Sequence, residues 1–260
     1  MNLGSASVGL TRLARGAANF VDLQWTLTVR ALRRVAPLAR GRLLDVGCGD
    51  KPYLEIFRPF VSEYLGVEHE ASFNATASAG QSRGPDVLYD GKRLPFLDAE
   101  FETVLCVQTL EHTPDPQALV HELARVLRRD GRLLLMAPFS FRLHEEPHDY
   151  FRYTPHGLRV LCANAGLELE RCEPLGSLWS LLGHKLNSYL ALNVTRAGGL
   201  AQRLDKLGHE AKQHQSPRFW LVPPVAASMF GVSLAARLLD RVAVDETESL
   251  GFLVVARHRG

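Results

Sequence analysis

The stretch Leu43–Asp50, LLDVGCGD, constrains the fold of this chain more than any other. An apolar run that ends in an acid and two glycines, just ahead of a helical segment, suits a strand–turn–helix unit whose backbone comes close to a ligand. Glycine lacks the Cβ that would block such an approach, and the helix N-terminus that follows offers unpaired N–H groups to an anion. A second acid, Glu68, ends the next apolar run 23 positions after Asp45. A Rossmann-like site places a carboxylate for both ribose hydroxyls at about this point. Residues 47–52 read GCGDKP rather than GxGxxG, which argues against a nicotinamide-dependent oxidoreductase.

From Arg42 onward, short apolar runs alternate with helical segments, the pattern of βα units. Leu43–Val46, Glu63–Val67, Val87–Tyr89, Phe101–Val107, Arg132–Ala137, Leu167–Cys172 and Leu250–Arg257 read as strands. Pro52–Phe57, Gln117–Leu127 and Thr154–Ala165 read as helices, the last capped by Thr154, with Pro155 at its first position and Gly166 as its stop. The predicted fold is α/β: a Rossmann-like, seven-stranded, mostly parallel sheet with helices on both faces, an N-terminal helix, and a helical insertion before the last strand. Some 77 residues separate the last two strands, too many for a loop. The expected segments are therefore 1–41, an amphipathic helical region; 42–175 with 249–260, the sheet domain; and 176–248, a helical insertion or cap.

Thirty Lys+Arg against 28 Asp+Glu leave a net charge of +2, so nothing global favours nucleic acid as a partner. Seven arginines nevertheless crowd residues 1–42 opposite Phe20, Leu23, Leu27, Ala31 and Val35 at helical spacing. That helix is expected either to pack with a solvated arginine face or to meet a phosphate or anionic lipid. Cys48, Cys106, Cys162 and Cys172 lie in apolar stretches without metal spacing and read as reduced, buried thiols. With no compact apolar leader, a cytoplasmic location is the default expectation.

The ordered motifs resemble class I S-adenosylmethionine-dependent methyltransferases, in particular the branch that includes ubiquinone and menaquinone methyltransferases, over roughly Leu43–Cys172 and the final strand. Asp45-Val46-Gly47-Cys48-Gly49 looks like the first motif, which holds the methionine end of the cofactor. Glu68, beside His69, stands at the ribose-binding acid. Asp90-Gly91, followed by Leu94-Pro95-Phe96, is similar to the adenine-binding turn. Gln108-Thr109-Leu110-Glu111-His112 resembles the segment after strand four. The resemblance implies S-adenosylmethionine as cofactor, bound by Asp45, Gly47, Cys48, Gly49, Glu68, His69, Asp90, Gly91 and Gln108. Two departures stand out: Lys51 or Pro52 replaces a third loop glycine, and Glu102 replaces an aspartate. A catalytically silent binding module on the same fold is the alternative reading. A stretch similar to EPHDYFRYTPHGL also marks small methyltransferases of glycan and secondary metabolism, so the implied acceptor is a small molecule, a glycan or a lipid-linked compound.

Methyl transfer from a sulfonium needs alignment and, for a hydroxyl acceptor, a base. The segment after strand five, Phe141–Tyr153, supplies candidates: His148 or His144 as base, with Asp149 to orient an imidazole, and Arg152 for an acidic acceptor group. His144 and His148, with the acids Glu145, Glu146 and Asp149 nearby, could also hold a divalent ion, but the resemblance is to a branch that usually needs none, and no metal is expected. His112 reads as a structural or a catalytic histidine. In 176–248, Leu178, Trp179, Leu181, Leu182 and Tyr189 form one apolar segment, and Phe219–Ala236 runs 18 residues without a charge. Pro223-Pro224 is expected to break a helix there, leaving a hairpin too short to cross a bilayer but suited either to peripheral membrane contact or to capping the acceptor pocket. Oligomeric state is not legible.

Overall fold

A computed structural model describes residues 16, 18–76, 84–194 and 219–259. The chain divides into two compact units, Val29–Leu175 with Gly251–Gly260, and Met1–Thr28 with Gly176–Leu250.

The first unit is built on seven strands: β1 (Arg42–Val46), β2 (Glu63–His69), β3 (Val87–Tyr89), β4 (Phe101–Val107), β5 (Leu127–Pro138), β6 (Leu167–Pro174) and β7 (Gly251–His258). Their order is β3-β2-β1-β4-β5-β7-β6. The first five run parallel, while β7 inserts antiparallel to both β5 and β6. Side chains alternate between the two sheet faces, and each face is covered. Leu44, Val46, Val104, Cys106, Leu133, Leu135, Val254 and Ala256 pack with Leu119, Val120 and Leu123 of α4 (Pro116–Val126) and Leu158 of α5 (Pro155–Asn164). Leu43, Leu105, Leu134, Met136, Leu253 and Val255 pack with Ala31, Leu32 and Val35 of α1 (Leu23–Val35) and Phe57 of α2 (Leu54–Phe57). The remaining helix of this unit is α3 (Glu70–Thr76).

The predicted strands and the mostly parallel sheet are all present. Strand β5 begins at Leu127, earlier than its apolar run, because Leu127 pairs with Phe101 before a register shift brings Arg132 opposite Thr103. Helix α5 is capped as expected: the Thr154 hydroxyl accepts from Gly157 N–H, and Gly166 takes a left-handed φ of +72°. Pro52 lies in a turn just ahead of α2 rather than inside it. The compact unit that holds the sheet begins at Val29, within α1, whose later turns are buried against the sheet. Arg30 and Arg33 are exposed and Arg34 pairs with Glu173 at 2.9 Å, a solvated arginine face; Arg12 and Arg15 lie outside the described residues.

The second unit pairs α6 (Leu178–Tyr189), which continues as a π-helical turn Leu190–Val194, with α7 (Val222–Val242), entered through a short 3-10 turn, Phe219–Leu221. Gly183 sits at their crossing, where an added Cβ would lie 2.9 Å from Ala236 Cβ. Asp240 accepts hydrogen bonds from the hydroxyls of Ser177 and Ser180. The Asn187 amide donates to Ser233 Oγ at 2.8 Å. The two prolines do not shorten α7. They lie in its first turn, where no intrahelical N–H partner is lost, and the helix runs 21 residues, long and apolar enough by length and composition to cross a membrane. Val225, Met229, Ser233 and Ala236 form its buried stripe, whereas Phe230, Leu234, Leu238 and Val242 are exposed. The polar stretch 203–215 lies outside the described residues.

Candidate active site at the carboxyl ends of the strands

The ends of β1, β2, β3 and β4 converge because the strands are in parallel register, Val46 opposite Val67 and Cys106, and His69 opposite Tyr89. After β1 the chain turns through Gly47 (φ +72°) and Gly49 (φ +49°), and the N–H groups of Gly47 and Cys48 donate to Val67 O. A Cβ at Gly47 would fall 2.1 Å from Thr109 Oγ1, so the loop packs directly on the segment that follows β4. At Gly49 a Cβ would meet nothing within 4 Å, and the space beside the loop is open there. The Glu68 carboxylate borders it, accepting from Gly49 N–H at 2.8 Å and His69 N–H at 2.9 Å. Each oxygen keeps a further lone pair for a ligand hydroxyl. Open space and an anchored carboxylate fit the ribose of an adenosyl cofactor.

Asp45 has a different position. It is buried under the loop and accepts a short hydrogen bond from Tyr64 Oη. Burial pushes its carboxyl up to about 7, against the pull of the Tyr64 hydrogen bond. Cys48 is likewise buried, and burial raises its thiol. Lys51 resolves the missing third glycine: it adopts a left-handed φ of +53°, its N–H closes the turn onto Cys48 O at 2.8 Å, and its ammonium pairs with Asp86 at 2.5 Å. Gly66 makes room for this, since a Cβ there would sit 2.7 Å from both Cys48 Sγ and Lys51 Cε.

Gly91 (φ +79°) follows Asp90, which accepts from Lys92 N–H at 3.0 Å, and a Cβ at Gly91 would strike the His69 ring. His69 and Gly91 are thus in contact. Gln108 (φ +53°) is held by its N–H to Met136 O. All nine candidate cofactor residues therefore fall on the ends of four adjacent strands, Asp45 and Cys48 beneath the surface.

The β5–α5 segment folds back over the short helix Leu110–His112. Tyr150 N–H donates to Glu111 O, Tyr153 Oη to Leu110 O, and His112 Nδ1 lies 2.8 Å from His148 O. Here the expected pairing is redistributed. Asp149 contacts His144, whose N–H and Nδ1 are 3.0 and 3.2 Å from Asp149 Oδ2; His148 is exposed beside Tyr150 Oη at 3.0 Å. Arg152 binds Asp149 through both terminal nitrogens at 2.6 and 2.7 Å and also donates to Arg142 O and Phe141 O, so it is spent inside the loop. Burial lowers His144 to about 4. Burial alone would raise Asp149, yet Arg152 and the His144 N–H hold it at about 2. Sequence reasoning missed Glu111, which is fully buried and pushed up by burial to about 8. It names Thr109 only within the segment after strand four and Lys51 only as a replaced loop glycine, and it does not single out Asp86 or Tyr64.

Residues 44–135, about a third of the chain, match the methyltransferase domain family. The fold is the Rossmann-like α/β fold of S-adenosylmethionine-dependent methyltransferases, and residues 44–135 are similar to that domain family. The cofactor of such a domain is S-adenosylmethionine. The chain is 34% identical over 107 residues to an uncharacterized methyltransferase, YcgJ, of Bacillus subtilis (39% of this chain, 42% of that protein). It is 30% identical over 155 residues to a ubiquinone biosynthesis O-methyltransferase of Xanthomonas euvesicatoria (51% and 65%). These matches span less than two thirds of either relative. At 27% identity, similarity extends over 256 residues to the 27-O-demethylrifamycin SV methyltransferase of Amycolatopsis mediterranei (89% and 84%). Among solved structures, a chain from the complex of the Haloferax volcanii Trm112 methyltransferase activator shares the fold at TM-score 0.54 and 16% identity (95% and 96%). The [4+2]-cyclase SpnF shares it at TM-score 0.51 and 19% identity (89% and 80%), so this fold also carries chemistry other than methyl transfer.

Proposed function

We propose that the chain is an S-adenosylmethionine-dependent methyltransferase acting on a small-molecule acceptor. The observation that carries this reading is the Glu68 carboxylate, anchored by Gly49 and His69 N–H groups at the edge of an open glycine turn. When bound, the cofactor supplies a methyl group on a sulfonium that is already a good leaving group. The chain then has to bind and align: Glu68 takes the ribose hydroxyls, the Asp90-Gly91 turn the adenine side, and the Gly47–Gly49 loop the methionine end. The β5–α5 segment lies at the strand ends where an acceptor has to approach. Its exposed imidazole, His148, is placed to take a proton from a hydroxyl acceptor, while Asp149 and Arg152 fix the loop. A small molecule is favoured because the ubiquinone and rifamycin enzymes above are named for such acceptors. Release of S-adenosylhomocysteine across a panel of phenolic, polyketide and glycan hydroxyl compounds tests it. Turnover lost in Glu68→Ala supports the reading; cofactor binding with no turnover on any acceptor favours the silent module.

A second surface belongs to the same proposal. Leu182, Leu186 and Tyr189 on α6, and Phe230, Leu234 and Leu238 on α7, are exposed at three- and four-residue spacing. These rows suit shallow peripheral contact with a bilayer or a lipid-like acceptor. Flotation with anionic liposomes at low salt tests it, and recovery of the whole protein in the soluble fraction overturns it.

A further inference from the structure

Four polar atoms meet in the first unit with no hydrogen-bond partner: Glu111 Oε1 and Oε2, His112 Nε2 and His144 Nε2. Glu111 and His144 are fully buried, and the His112 side chain is 13% exposed. Buried polar groups are almost always satisfied, and an unpaired buried carboxylate is among the costliest exceptions. The histidine protons sharpen the anomaly. His112 Nδ1 faces His148 O at 2.8 Å, and His144 Nδ1 faces Arg142 O and Asp149 Oδ2, both at 3.2 Å. Those oxygens only accept, so each Nδ1 carries a hydrogen toward them, and each Nε2 is turned inward toward Glu111. Both Nε2 atoms lie 3.9 Å from Glu111 Oε1. Two imidazole nitrogens and a carboxyl thus face one another across gaps too wide for a hydrogen bond.

We propose that Glu111, His112 and His144 bind a divalent first-row transition-metal ion. One ligand atom from each residue lies within 4.8 Å of the others. Metal–ligand bonds of about 2.1 Å set tetrahedral neighbours about 3.4 Å apart, so each imidazole–Glu111 gap needs to close by about half an ångström and no gap by more than about 1.4 Å. Two imidazoles and a carboxylate suit zinc, iron, cobalt or manganese better than calcium or magnesium. The outer partners are in place as well: Asp149 backs His144 and a backbone carbonyl backs His112, the contacts that orient metal-binding imidazoles. Glu145 Oε2, 3.6 Å from His112 Nε2, is a fourth ligand atom within reach. Glu111 lies two residues beyond Thr109, which packs on Gly47, so the ligand set is close along the chain to a residue that touches the cofactor loop. In the sequence, metal is set aside because the motifs resemble a branch that usually needs none, and the donors considered are those of the His144–Asp149 segment only; Glu111 and His112 lie 34 and 33 positions before Glu145.

Binding of the ion does not depend on the methyltransferase reading, and the test keeps the two apart. Tag-free protein, stripped with chelator, is titrated with cobalt(II) and followed by visible absorption, then with zinc(II) by calorimetry. One equivalent of cobalt with ligand-field bands, displaced by zinc, is expected. Glu111→Gln and His144→Gln are expected to weaken zinc by more than about 100-fold, and Asp149→Asn by about 10- to 100-fold. Their circular dichroism and S-adenosylhomocysteine affinity report on folding. Failure of the wild-type protein to take up one equivalent overturns the proposal whether or not the variants fold, as does equal zinc affinity in wild type and a folded Glu111→Gln. Loss of S-adenosylhomocysteine binding in the wild type would instead count against the methyltransferase reading.

Discussion

Asp45→Asn tests how the glycine turn is supported. The Asp45 carboxyl is buried beneath the loop, hydrogen-bonded to Tyr64 and pushed up by burial to about 7. In the unfolded chain it titrates near 3.9, a gap of about 3 units, and each unit is worth about 1.36 kcal/mol. The native state therefore holds the proton that the unfolded state has lost. Stability is highest below about pH 4, falls as pH rises, and levels off above about 7, at a total cost of about 4 kcal/mol in the ligand-free protein. Asparagine keeps an acceptor for the Tyr64 hydroxyl and never ionises. At pH 5 the wild type has lost only about 1.5 kcal/mol, so the advantage of Asp45→Asn is expected to grow by about 2.5 kcal/mol between pH 5 and 7.5. That is a widening of roughly 5–10 °C in the difference between melting temperatures. Paired thermal melts at the two pH values measure it, and other titrating groups cancel in the difference. A gap that stays constant to within about 1 kcal/mol would refute the buried, protonated aspartate.

The two loop glycines should separate. Gly47→Ala meets Thr109 as well as an unfavourable φ and is expected to lose roughly 3 kcal/mol, whereas Gly49→Ala, with open space, should lose about 1 kcal/mol yet weaken cofactor binding, as melts and calorimetry will show. Asp149→Ala strands the half-buried Arg152 and is expected to cost about 3 kcal/mol or more in urea unfolding. His148→Ala should leave the exposed position stable within about 0.5 kcal/mol while lowering kcat about 100-fold on a hydroxyl acceptor; unchanged kcat removes it as base.

Much of the sheet was legible because each parallel strand is a near-continuous apolar run ending in a turn residue, as at Val46-Gly47 and Tyr89-Asp90-Gly91. The cofactor positions were legible for the same reason, since they are strand ends. The β5–α5 segment was not: in HEEPHDY nothing local tells which histidine turns inward, and Asp149, adjacent to His148, bonds instead to His144 five residues back. Glu111 carries no local sign of burial, because the segment that returns onto its turn through Tyr150 and Tyr153 lies about 40 residues further on. Lys51 looked like a lost glycine, and only Asp86 and Gly66, far along the chain, show how its left-handed backbone is held. Pro223-Pro224 was misread because whether a proline breaks or begins a helix depends on where the first turn falls.

The central claim, that the Gly47–Gly49 turn and Glu68 form an adenosyl-cofactor site, is tested most directly by calorimetry of wild type and Glu68→Ala with S-adenosylhomocysteine, with NAD as the control ligand. Saturable one-to-one binding of S-adenosylhomocysteine, none of NAD, and at least a tenfold loss in a folded Glu68→Ala, about 1.4 kcal/mol, is the predicted result. Absence of binding by the folded wild type, or equal affinity in the two proteins, would contradict it.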